Sequence, residues 1–177
     1  IYKNIPCKLR QILGSRKMSI ERLEDTYQLT KIVTEIQRQA ADIHLHPKER
    51  GVVFKDDGRD YTTEVDIAVE KLIRGRLKEE FPEAVFFGEE TGSSAESGRF
   101  VFIVDPTDGT AVYATGGEYY SISVALADRE RGKVIFGSVY QPARGRQFVR
   151  DEREVIVREN ALGIQEDDIL ETNMLVE

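Results

Sequence analysis

The spacing of the apolar residues changes once, at Pro82, and that change constrains the fold more than any other feature of the sequence. Before it, apolar side chains recur at helical intervals. Leu29, Ile32, Val33, Ile36, Ala40 and Ile43 form one such run, and Val65, Ala68, Val69, Leu72, Ile73 and Leu77 another. Asp25, with Gln28 three residues later, marks the start of the first helix, and Pro47 ends it. The second starts near Thr63 and runs to about Glu80, before Pro82 stops it. Between them, "GVVFKDDGRDY" reads as a short strand or hairpin with its turn. After Pro82 come "AVFF", "FVFIV", "YYSISVALA", "KVIFGSVY", "RQFVR" and "REVIVR", short β-branched or aromatic runs divided by Gly, Pro and charges. In "YSISVALA", Ile122, Val124 and Leu126 alternate with small residues, the pattern of a strand with one buried face. Two helices followed by about six strands, without regular βαβ alternation, predict an α+β fold with a largely antiparallel sheet.

A chain of 177 residues can build one full core. No apolar run approaches the roughly 20 residues that a membrane-spanning helix needs, so no membrane partner is expected. A lone Cys7 forms no intramolecular disulfide and suits a reducing compartment, which points to the cytoplasm. The net charge of −7 is unevenly spread: residues 1–17 hold five basic and no acidic residues, leaving 20 basic against 32 acidic, a formal −12, for the rest. A body that acidic repels nucleic-acid phosphates and argues against a nucleic-acid partner. The chain opens on Ile1, Met18 is a plausible natural start, and the basic stretch lacks the serine richness of a transit peptide. Residues 1–17 are therefore expected to be an extension of doubtful native origin, and residues 18–177 a single αβ domain.

The chemistry concentrates where strands leave the core. "AVFFGEE" ends on Glu89 and Glu90, and "VFIVDPTDGT" runs four apolar residues into Asp105 and then Asp108. Adjacent strands would bring both acidic pairs to one sheet edge. Crowded carboxylates repel and shift one another's protonation, an arrangement that divalent cations neutralise; oxygen-only ligation favours Mg, Mn or Ca over zinc. Asp105 is the residue placed to bridge two ions, with Glu89 on one side and Asp108 on the other. Gly109 and Thr110 supply backbone N–H groups at a turn that a phosphate could approach closely. Plainer readings stand beside these. "DPTDGT" is also good turn chemistry, though not an EF-hand loop. Thr63 and Asp66 form a Thr-x-x-Asp capping box at a helix start, and "GEE" reads equally as a solvated loop. His44 and His46 are expected at the surface, and the charged run from Arg150 to Glu159 at an exposed sheet edge.

Taken together, "KDDGRDYTTEVD", "FFGEET" and "VFIVDPTDGT" follow one another in the order of the motifs of the inositol monophosphatase family, which the chain resembles from about Tyr27 onward. "FGSVYQPARGRQFVR" is similar to that family's Gly-x-Val-Tyr-x-Pro hairpin. The resemblance implies a sugar-phosphatase fold with two N-terminal helices on the sheet. It also implies a magnesium-dependent, lithium-sensitive phosphomonoesterase with two or three Mg ions, Mn being a possible substitute, and a homodimer. Glu89, Asp105 and the Thr107 carbonyl match ligands of the first metal, and Asp105 and Asp108 ligands of the second. Gly109 and Thr110 match the phosphate cradle. Asp66 and Thr110 match a pair that orients or deprotonates the attacking water, with Glu90 and Lys55 close by. The implied substrate is a small inositol or sugar monophosphate. "GGEYYSISVAL" keeps a 3'(2'),5'-bisphosphate nucleotidase open, and fructose-1,6-bisphosphatase and histidinol-phosphatase relatives also remain. Family members continue into a second αβ domain that adds an aspartate in a Trp-Asp motif. This chain has no Trp, so that domain is expected to be absent from it, which keeps open a truncated, non-catalytic interaction module.

Overall fold

A computed structural model of the protein describes residues 26–47, 52–54, 61–94, 97–151 and 155–158. The basic stretch 1–17, Asp25 and Lys55 lie outside the described residues. Two helices come first: α1, Thr26–Leu45, and α2, Glu64–Glu80. Between them β1, Val52–Phe54, pairs antiparallel with β2, Tyr61–Thr63, in line with the strand or hairpin expected there. β2 runs directly into α2, and Thr63 is that helix's N-cap. Both halves of the capping box form: the Thr63 side chain accepts from Asp66 N–H, and the Asp66 carboxylate accepts from Thr63 N–H. Such a cap is worth about 1 kcal/mol to the helix.

The main sheet contains β3 (Val85–Gly88), β4 (Gly92–Ser93), β5 (Phe100–Asp108), β6 (Ser121–Asp128), β7 (Lys133–Gln141), β8 (Arg146–Asp151) and β9 (Val155–Arg158). A five-residue helix α3, Thr110–Ala114, follows β5. The strand order is β4-β3-β5-β6-β7-β8-β9, antiparallel throughout except for the parallel pair β3 and β5. The charged run ending at Glu159 includes β9, the strand at one edge of the sheet, as its composition predicts.

Both helices pack on one face of the sheet. Phe86, Phe102, Leu126 and Phe136 form a row across β3, β5, β6 and β7. They close a core with Leu29, Val33 and Ile36 of α1 and Val69, Ile73 and Leu77 of α2. The opposite row leaves Phe87 and Ile103 exposed. The inward stripe of α2 differs from the apolar spacing: Ala68 is exposed, Leu72 is half-buried, and Asp66 and Glu70 are fully buried in its place. A helix packing several elements at once buries more than one stripe. On α1 a second buried line, Thr30, Thr34, Gln37 and His44, runs beside the apolar one. Among the described residues, no helix is long and apolar enough to cross a membrane.

Candidate metal centre

The parallel pairing of β3 and β5 makes both strands exit at the same edge. Gly88 is registered with Val104, so the next residues, Glu89 and Asp105, lie side by side, Glu89 just past the end of β3 and Asp105 still paired in β5. Glu89 N–H donates to the Val104 carbonyl at 3.1 Å, which extends the ladder one residue beyond the strand end. The two carboxyl groups lie close enough for each to act on the other's charge. Burial first, and then the charge of Glu89, push Asp105 up to about 7 from the ordinary 3.8; Asp108 adds to the shift, and the Thr107 N–H opposes it. The same burial and crowding that disfavour a negative charge on Asp105 would be offset by a divalent cation between the two carboxyl groups.

Beyond Asp105 the chain bulges. Asp105 pairs with Ser123 but Asp108 with Ser121, so one extra residue is accommodated on β5. Pro106 has no N–H to lose from the ladder there. The Asp105 Oδ1 accepts from Thr107 N–H at 3.0 Å, and the Thr107 carbonyl accepts from the Thr110 hydroxyl at 2.9 Å. Gly109 follows at φ 94°, and a Cβ there would lie 3.1 Å from the Tyr119 carbonyl oxygen, so both backbone and space call for glycine. Asp108 is exposed, with the Ser121 hydroxyl 3.5 Å from its carboxylate.

The structure thus gathers Glu89, Asp105, Thr107, Asp108, Gly109 and Thr110 around one strand exit. Among the described residues no three His, Cys, Asp or Glu side chains are grouped tightly enough to enclose an ion by themselves. The fit to a hard cation rests on the Glu89–Asp105 oxygens, with backbone oxygen available from Thr107. Asp66 is buried at the α2 N-terminus, its carboxylate accepting from both the N–H and the hydroxyl of Thr63. Glu90 sits in the turn after β3, and its N–H donates to Glu70 at 2.8 Å.

Two residues that the sequence reading overlooked shape this edge. His44 is not a surface residue: it is fully buried, and its Nε2 lies 2.9 Å from the Thr107 hydroxyl. Burial lowers its pKa from 6.5 to about 4, against the opposing pull of Asp66, so the ring is neutral. Tyr113 OH donates to the His44 carbonyl at 3.1 Å, and the Tyr113 and Tyr120 rings pack against the imidazole. His46, two residues on, is exposed and pairs with Asp42, as expected. Glu70 is the second: a fully buried carboxylate one helical turn after Asp66, beside the apolar stripe of α2.

The profile of the inositol monophosphatase family matches residues 20–170. Among curated relatives, the Nus factor SuhB of Xylella fastidiosa is 31% identical over 120 residues, covering 66% of this chain and 42% of that protein. Inositol monophosphatase 2 of Solanum lycopersicum is 39% identical over 103 residues, covering 55% and 36%. The chain therefore spans less than half the length of these relatives. A solved IMPase/NADP phosphatase complexed with Mg2+ and phosphate superposes with a TM-score of 0.66 at 23% identity, covering 78% of this chain and 52% of that one, a likeness of fold.

Proposed function

This chain belongs to the inositol monophosphatase family, and from that premise we propose that it carries the metal-binding half of a magnesium-dependent phosphatase acting on a small inositol or sugar monophosphate. The observation that carries the reading is the convergence of Glu89 and Asp105 on two neighbouring parallel strands, at one edge of the sheet. Glu89, Asp105, Asp108 and the Thr107 carbonyl are the groups that would hold Mg2+, with Mn2+ as a substitute. A bound divalent ion supplies charge neutralisation and a more acidic water for attack on phosphorus.

The chain's own residues have separate tasks in this reading. The N–H groups of Gly109 and Thr110 face the ester's phosphoryl oxygens, and the left-handed turn at Gly109 keeps side-chain bulk away from them. Thr110, whose hydroxyl donates to the Thr107 carbonyl, would accept a hydrogen bond from the attacking water and so orient it for loss of its proton. Asp66 and Glu90 complete the acceptors for that proton, and Lys55 offsets the ester's charge. As the water oxygen bonds to phosphorus, the ester P–O bond opposite it breaks, and the leaving alkoxide takes up a proton from a solvent water.

A cytoplasmic homodimer is the setting proposed for this enzyme. A bisphosphate nucleotidase or fructose-1,6-bisphosphatase would use the same edge with a different substrate wall. A non-catalytic interaction module stands as one further reading, and one relative carries the name Nus factor SuhB. Phosphate release from inositol monophosphate, a sugar monophosphate and a nucleoside 3',5'-bisphosphate, assayed with Mg2+ and with added Li+, decides among them. We expect Mg2+-dependent, Li+-inhibited release that Asp105→Asn lowers by at least about two orders of magnitude, as loss of a charge-stabilising group does. Turnover unaffected by Asp105→Asn would rule out this site.

A further inference from the structure

We propose that Glu70 is a positioning residue for the cation-holding pair: its buried carboxylate fixes the turn after β3 so that Glu89 meets Asp105. The inference rests on reading Glu89 and Asp105 as metal ligands, and it adds a residue outside their own strands. Glu70 lies on α2 and is 0% exposed. One carboxylate oxygen accepts Glu90 N–H at 2.8 Å, while the other accepts Thr91 N–H at 3.0 Å and the Thr91 hydroxyl. Two successive backbone N–H groups pointing at one anion make a nest, and here the protein fills it with its own side chain. Arg74, one turn further along α2, donates to the Thr91 hydroxyl at 2.6 Å and extends the clamp.

Glu89 is thereby held from both sides. On one side its N–H continues the β5 ladder. On the other the next two residues are tied to α2. Gly88 shows how closely the carboxylate lies against this backbone: a Cβ there would be 2.3 Å from Glu70 Cδ, so no side chain fits between them. Gly92, at φ 67°, closes the turn back into β4. An apolar residue at position 70 would cost less to bury than a carboxylate. What the carboxylate adds is a fixed path for the backbone that carries Glu89, and losing a group that orients a metal ligand typically costs about 10- to 100-fold in metal affinity.

The test titrates Mn2+ calorimetrically into the full chain and its Glu70→Gln, Thr91→Val and Glu89→Gln variants. Glutamine keeps the shape of Glu70 but places an NH2 against one of the donors. We expect Glu70→Gln to weaken Mn2+ binding by roughly 10- to 100-fold, Thr91→Val to weaken it less, and Glu89→Gln to weaken it most. The rise in melting temperature on adding Mn2+ is read alongside, because a merely structural role would lower the melting temperature equally with and without the ion. Wild-type affinity in Glu70→Gln, with Glu89→Gln impaired, overturns the positioning role alone. Binding indifferent to Glu89→Gln, or absent in the wild type, overturns the metal reading beneath it. Should Glu70→Gln fail to fold, undiminished affinity in Thr91→Val overturns the proposal in its place.

Discussion

His44 keeps a neutral imidazole in the interior, and its titration should be visible in the protein's stability. Its pKa falls from 6.5 to about 4, because burial outweighs the attraction of the Asp66 carboxylate and the Ala40 carbonyl. The other groups packed on the ring, Thr107, Tyr113 and Tyr120, carry no charge at these pH values. Between those two values the unfolded chain binds more protons than the folded one. Stability therefore drops as pH falls from 6.5 toward 4 and stops dropping, on this account, below it. His44→Gln should flatten that part of the melting-temperature profile relative to wild type; parallel profiles would reject the assignment. Gly109 makes a second prediction at this scale. Gly109→Ala forces a side chain into a left-handed conformation against the Tyr119 carbonyl, at a cost of at least about 1–2 kcal/mol by urea unfolding. Asp105, Asp108, Gly109 and the Thr63–Asp66 box were legible because each follows a local rule of turns, caps or strand ends. His44 and Glu70 were not, because a polar residue on a helix reads as outward-facing until the second surface it packs against is known.

The helices and strands follow the sequence pattern closely, since spacing and Pro47 or Pro82 mark their limits. α1 nevertheless carries a polar seam that spacing alone assigns to solvent. The Gln37 amide donates to the Ile122 and Ser138 carbonyls at 3.0 and 3.2 Å, and its oxygen accepts from the Ser138 hydroxyl at 2.7 Å and from the Gln147 amide at 3.0 Å. Gln147 also donates to Thr34 and to Ser138, each at 3.0 Å. The seam ties α1 to β6, β7 and β8 through fully buried groups, and such a network is stable only while each member keeps its partners. Gln147→Leu removes the amide whose two N–H groups serve the three acceptors around it, so unfolding free energy from urea denaturation should fall by about 1–3 kcal/mol or more. Mn2+ affinity should stay unchanged, since the seam lies away from the β3–β5 exit; an unchanged urea midpoint would contradict the role given to the seam. The parallel direction of β3 against β5 was the other element-level feature hidden from the sequence. Alternation has the same period whichever way a strand runs, and pairing between strands distant in sequence leaves no local mark. That direction is also what aligns Glu89 with Asp105, so the site's geometry depended on the least legible feature of the sheet.

At the scale of the whole molecule, charge decides the order in which ligands bind. The protein carries a net −7, and the strand exit concentrates Glu89, Glu90, Asp105 and Asp108 near the turn where Gly109 and Thr110 would receive a phosphate. An anionic ester approaching that edge meets repulsion from the site itself and from the molecule's overall field. The raised pKa of Asp105 comes first from burial, and the repulsion of Glu89 and then Asp108 adds to it. A divalent cation reverses the local sign, so cation and phosphate should assist one another, and any such coupling is reciprocal. Inorganic phosphate titrated into the metal-free chain should bind weakly, and saturating Mn2+ should strengthen it by about tenfold or more, a coupling of about 1.4 kcal/mol. Phosphate should raise Mn2+ affinity by the same factor, and Asp105→Asn should abolish both effects together. Added salt should improve phosphate binding in the metal-free chain by screening the acidic field, and should weaken it once Mn2+ is bound. Phosphate affinity that ignores Mn2+ would mean that the anion is held elsewhere, and would separate the acidic edge from the turn at Gly109.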